Sequence, residues 1–165
     1  MTNSAVLKSL LLIWLIVTAA ASDDKTDRAT LKGVTAVCTV VEAPDRLRKE
    51  DLQVAIENKL TQAAITIDKN ATTCLFLNVR ALQAIGRQAV GRKDKPIPLY
   101  AVDLRLEFLQ TVLLSRDKTT KSYAPTWSTE NMATVSADEL GKTVAEMTAG
   151  LVDRFVAAYK SANPQ

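Results

Sequence analysis

The side chains able to do chemistry in this chain are few, and their types and spacing fit binding better than catalysis. There is no histidine, which removes Ser-His-Asp and Cys-His nucleophile pairs and every histidine-bearing zinc site together. Cys38 and Cys74 are the only cysteines. An even count in an oxidising compartment makes a bridge between them the first expectation, with two buried thiols as the alternative. Closing that loop would add roughly 3 to 4 kcal/mol on the chain-entropy estimate. Asp103 and Glu107 fall on one face of an alternating segment, but Arg105 stands between them on the same face. Surface charge pairing explains that triplet better than acid-base work. No GxGxxG, P-loop, CxxC, HExxH or EF-hand pattern occurs, so the expectation is a non-enzyme without metal or cofactor.

Two further groups suit binding. Arg87, Arg92, Lys93 and Lys95 lie in a stretch marked by Gly86, Gly91 and Pro96. Cations on a flexible connector suit anionic lipid headgroups or an acidic partner, and Asp94 among them suits a merely solvated loop. Trp127, with Tyr123 and Tyr100 on neighbouring strands, offers an aromatic contact for a ligand or partner, or else core and edge packing. The whole chain carries 21 Lys and Arg against 18 Asp and Glu. So small an excess speaks against a nucleic-acid partner, which calls for a markedly basic domain.

The elements that must position these residues follow from periodicity. A β-branched run over Thr30–Glu42 reads as a strand with apolar residues on both faces, hence one inside a sheet. Ala43-Pro44-Asp45 ends it. Leu52, Ile56, Leu60 and Ala63 recur at helical spacing within Arg48–Ala64. Ile65–Ile67 and Cys74–Val79 read as two strands of a hairpin, and Leu82–Pro98 as a loop. From Leu99 to Leu114 the alternation is clear, with Val102, Leu104, Leu106 and Phe108 on one face and a wet opposite face. Ser115–Ser122 is a charged turn, and Tyr123–Val135 an edge strand interrupted by Pro125. Ser136 and Glu139 form a capping box ahead of the stripe Leu140, Val144, Met147, Leu151, Phe155, Tyr159. The fold class is therefore α+β: a mostly antiparallel sheet of about five strands, order β-α-β-β-β-β-α, with two helices packed on one face.

The chain opens with Lys8, an apolar run from Leu10 to Val17, and Ala19-Ala20-Ala21 before Ser22-Asp23-Asp24. That order is a secretory signal peptide with cleavage after Ala21. The apolar run is short for a membrane span. Residues 1–21 are thus assigned as signal peptide, 22–28 as a charged flexible tail and 29–163 as one α+β domain. The mature protein is expected in the periplasm or outside the cell, without stable membrane insertion.

The segment Ala124-Pro125-Thr126-Trp127-Ser128-Thr129, followed by a helix through Gly150–Tyr159 and the ending Ser161-Ala162-Asn163-Pro164, resembles a group of uncharacterised exported bacterial small α/β proteins. Weaker similarity runs through Gly33–Glu42 and Tyr100–Arg116, and the basic stretch around Arg87 to Lys95 departs from it. The layout is also similar to the amino-terminal domain of the TolB translocation protein. The resemblance implies export but no catalytic residue. Taken together, an exported binding or envelope-assembly module with an envelope protein partner is expected. The alternative is a small-molecule carrier, or a histidine-free enzyme, with a pocket between helices and sheet.

Overall fold

A computed structural model describes residues 25–90 and 93–164. The elements in chain order are α1 (Lys25–Ala29), β1 (Ala36–Glu42), α2 (Lys49–Gln62), β2 (Thr66–Ile67), β3 (Cys74–Val90), β4 (Lys93–Leu114), β5 (Asp117–Ser136) and α3 (Leu140–Ala162). The strands form one mixed, mostly antiparallel sheet in the order β2-β1-β3-β4-β5, the expected α+β class. Residues 1–21, expected as a signal peptide, and residues 22–24 lie outside the described residues. The tail expected over 22–28 is helical from Lys25, and Thr30 fastens its end: Oγ1 donates to the Asp27 carbonyl at 2.6 Å and to the Thr126 carbonyl of β5 at 3.1 Å.

Helices α2 and α3 pack side by side on one face of the sheet. The α2 stripe Leu52, Ile56 and Leu60 is buried, as is the α3 stripe from Leu140 through Phe155, with Tyr159 partly covered. Their partners are alternate residues of the strands: Val37 and Val41 of β1, Leu75, Leu77 and Val79 of β3, Val102 through Phe108 of β4. At the α2 C-terminus, Ile65 N donates to Leu60 O and Ala64 N to Thr61 O, the two bonds of a Schellman motif. That motif places Ala64 at φ 60, a conformation that glycine adopts more readily.

Several local expectations are corrected. The first strand starts at Ala36, not Thr30, because Leu31 to Gly33 form a turn in which Gly33 takes φ 76. Ile65–Ile67 and Cys74–Val79 do not form a hairpin. The α2 crossover returns the chain in the direction of β1, so β2 pairs with β1 in parallel. The chain then rounds the start of β1, where Thr73 Oγ1 donates to Ala36 O at 2.7 Å, and β3 rises in parallel on the other side. The capping box does not form either. Ser136 is still paired in β5 with Leu99, its hydroxyl donates to the Glu139 carboxylate at 3.2 Å, and α3 begins at Leu140 without a side-chain cap.

The largest correction concerns Leu82–Pro98, which is not a loop. Strands β3 and β4 pair without interruption from Cys74–Leu109 to Val90–Lys93. Pro96 and Pro98 are tolerated because they share strand parity, so both nitrogens point away from β3, on the side where β5 has already ended at Ser136–Leu99. Beyond that row the sheet narrows to a two-stranded ribbon. Ser115–Ser122, expected as a turn, likewise belongs largely to a second ribbon of β4 and β5 that continues to Leu114–Asp117.

Candidate interaction surface

Because side chains alternate along a strand, the residues between the buried ones face the uncovered side of the sheet. Cys38, Val40 and Glu42 of β1, Phe76 and Asn78 of β3, Arg105 and Glu107 of β4, and Met132 of β5 occupy it. Val40 is 42% exposed and Met132 67%. Arg105 Nε lies 3.1 Å from Glu107 Oε1, the surface charge pairing expected from the triplet with Asp103.

The two cysteines are bridged. Cys38 and Cys74 are register partners on the parallel strands β1 and β3, with Cα atoms 4.4 Å apart. The bridge therefore fastens the short parallel half of the sheet to its long antiparallel half.

The three aromatic candidates are not brought together. Trp127 is 3% exposed and sits in the core, its indole edge-on to Phe155 with centroids 5.4 Å apart. Its Nε1 is buried and meets no acceptor among the described residues. Tyr100 is 9% exposed under the Arg46 guanidinium, which stands 4.7 Å from its ring centroid. Tyr100 pairs with Val135, eight residues along β5 from Trp127, a separation of about 27 Å at strand rise. Tyr123 alone is half exposed, opposite Thr111 on the second ribbon, and partial desolvation raises its phenol above the ordinary value. Trp127 and Tyr100 are packing residues, the second of the two roles open to them.

Of the cationic candidates, Arg87, Lys93 and Lys95 lie on the β3–β4 ribbon at register positions opposite Pro96, Val90 and Gln88. Arg92 lies outside the described residues. The sequence signal missed here was the strand-like alternation through 82–102, hidden by Gly86, Pro96 and Pro98. Leu82, Ala84 and Gly86 of β3 face the same way as Ala101, Leu99 and Ile97 of β4. A Cβ on Gly86 would run into the Leu99 side chain and lie 3.5 Å from Ile97. The glycine is thus what lets Leu99 lie flat on this face.

The residues of the Thr-Trp-Ser and Ala-Asn-Pro segments have structural work. Thr126 is the extra residue of a β-bulge between Phe108 and Leu109, and Gln110 Nε2 donates to its Oγ1 at 2.7 Å. Asn163 ends α3 by donating from Nδ2 to the carbonyls of Tyr159 and Leu31, while its Oδ1 accepts from Gly33 N at 2.8 Å. The Ala-Asn-Pro ending is therefore a clasp between α3 and the turn before β1.

The space between helices and sheet, where a carrier or enzyme would place its pocket, is filled by the core. A cavity of about 440 Å³ lies instead at the carboxyl end of β1, beside the first half of β3, among Glu42, Lys49, Asn78 and Arg80. It is open to solvent, and Asn78 Nδ2 donates to Glu42 Oε2 across it at 3.3 Å. Among the described residues no group of three or more metal-ligating side chains assembles, and no helix is long and apolar enough to cross a membrane.

No family profile and no curated protein matches the sequence. Solved structures similar to it include a neuraminyllactose-binding hemagglutinin homologue from Helicobacter pylori, at 11% identity over 76% of this chain and 83% of that one, TM-score 0.45. Others are the PelC dodecamer from Paraburkholderia phytofirmans (18%, 72% and 83%, TM-score 0.39) and the rare lipoprotein B from Shewanella oneidensis (15%, 76% and 94%, TM-score 0.38).

Proposed function

We propose that this chain is an exported, non-enzymatic binding or assembly module of the bacterial envelope, periplasmic or secreted, which engages a protein partner through the uncovered side of its sheet. One observation carries the reading: the helix-covered face is packed solid, while the opposite face keeps Val40 and Met132 in solvent. A chain evolved around an internal ligand would keep room beside its core. The leader sequence and the Cys38–Cys74 bridge support export, since such bridges persist in oxidising compartments.

The test is site-specific photo-crosslinking in exporting cells, with the reactive group placed either at Met132 or at Val54 on the outer side of α2, which is 55% exposed. The expected result is a mature chain starting at Ser22 that forms one discrete adduct from position 132 and none from position 54. An unprocessed chain retained inside the cell, or identical adduct patterns from both positions, would refute it.

A further inference from the structure

We propose that the β3–β4 ribbon is an arm that lies on an anionic lipid surface. This goes beyond the protein-binding reading and concerns the far end of the same uncovered side of the sheet. The ribbon face formed by Leu82, Ala84, Gly86, Ile97, Leu99 and Ala101 carries no polar side chain. Among the described residues no helix lies above it, since the covering helices pack on the other side of the sheet. Leu82 is 73% exposed, and Ile85 on the reverse side of the ribbon is 79% exposed. Folding does not account for such placement: a side chain that contributes nothing to the core gains nothing from being leucine.

Charge selects the occupant. The described part of the ribbon from Leu82 to Ala101 bears Arg87, Lys93 and Lys95 against Asp94 alone, an excess of two where the entire chain has an excess of three. An apolar strip whose register continues into Lys95 and Lys93 matches a surface with an acyl region beneath anionic headgroups. A second copy of the chain fits poorly on two grounds. Three rows across β3 and β4 offer about 200 Å², whereas a stable interface takes about 800 Å² from each partner. Stacking two such ribbons would also bring like charges together. The contact is peripheral: the arm is a ribbon with a free edge, which cannot span hydrocarbon.

The experiment uses the mature chain, residues 22–165, and sedimentation with vesicles of phosphatidylcholine alone or with a substantial fraction of phosphatidylglycerol. Three variants accompany it: Leu82→Asp, the triple Arg87→Gln, Lys93→Gln, Lys95→Gln, and Val54→Asp as a control on α2. Leu82 and Val54 are solvent-exposed, and far-ultraviolet circular dichroism verifies that each variant folds. Binding is expected on the phosphatidylglycerol vesicles only, falling with added salt. Each cation removed should weaken it about fivefold, so the triple variant by about 100-fold. Leu82→Asp should weaken it at least tenfold and Val54→Asp not at all. Equal binding to both vesicle types, no binding to either, or binding unchanged in the ribbon variants would overturn the proposal. So would a concentration-dependent dimer dissolved by Leu82→Asp, which would assign the face to a second copy. Free inorganic phosphate should not compete at the ionic strength where vesicles bind; competition would place the affinity in a phosphate site instead.

Discussion

The helix-covered face of the sheet and the bare face of its ribbon use the same two-residue alternation and reach opposite environments. In the body, Leu104, Leu106 and Phe108 disappear under α3, with no exposed surface. Earlier on the same strand, Ile97 and Leu99 belong to a face that no helix among the described residues covers. Alternation thus determines which side of a strand is apolar; only the tertiary structure determines whether that side is buried. Where it is not, the apolar residues call for something outside the chain.

The largest difference between the regions should appear when one apolar side chain is removed from each. Phe155 has no exposed surface, and its ring lies 5.9 Å from Phe108 and 5.4 Å from Trp127 between centroids. Phe155→Ala should cost about 3–5 kcal/mol. Leu82→Ser should change stability by less than about 0.5 kcal/mol. Urea unfolding measures both. Comparable losses would show that the ribbon face is packed, and would dissolve the distinction between the two faces.

What was legible in the sequence follows the same boundary. The α3 stripe, the α2 stripe and the buried face of β4 each have long, uninterrupted periodicity, and all were readable. The β3–β4 ribbon was not, because Gly86, Pro96 and Pro98 signal a break wherever a strand has neighbours on both sides. Here they sit where the sheet has narrowed to two strands, a fact about β5 ending at Ser136 that no local window contains. The same limit hid the parallel placement of β2, and it made Trp127 a surface candidate. Proline at 125 correctly marked an edge strand, but the bulge beside it turns the indole inward beneath α3.

The disulfide tests whether the bare side also carries stability. It lies on that face, yet it joins β1 to β3, and β1 holds Val37 and Val41 against α2. The double variant Cys38→Ser, Cys74→Ser should lose up to about 4 kcal/mol, since the bridge spans a sequence separation of 36 residues. The loss should be recovered by no reductant-dependent step, and adding reductant to the wild type should reproduce it. An unchanged midpoint would mean that β1 is held by packing alone, leaving the bare face without any share in stability.

The smallest effect separates the two ribbons from each other. At the start of β5, Asp117 Oδ1 accepts from Thr119 N at 3.0 Å and from Thr119 Oγ1 at 2.6 Å, while Oδ2 accepts from the Thr120 hydroxyl. These bonds favour the ionised carboxylate, Thr119 contributing most, and lower the group from 3.8 to about 2. A carboxyl depressed on folding contributes its full stabilisation above pH 3.8 and loses it as pH falls through 2. Carbon-detected titration of Asp117 should therefore show a midpoint near 2, and Thr119→Ala should move it back towards 3.8. Amide exchange at Thr119 should rise below about pH 3, before the buried strands respond, because a fully exposed turn opens without disturbing the core. A midpoint at the ordinary value would mean that the turn is not held by its carboxylate. The second ribbon would then be as loosely specified at its end as any solvent loop, and only the β3–β4 arm would remain a built structure outside the body.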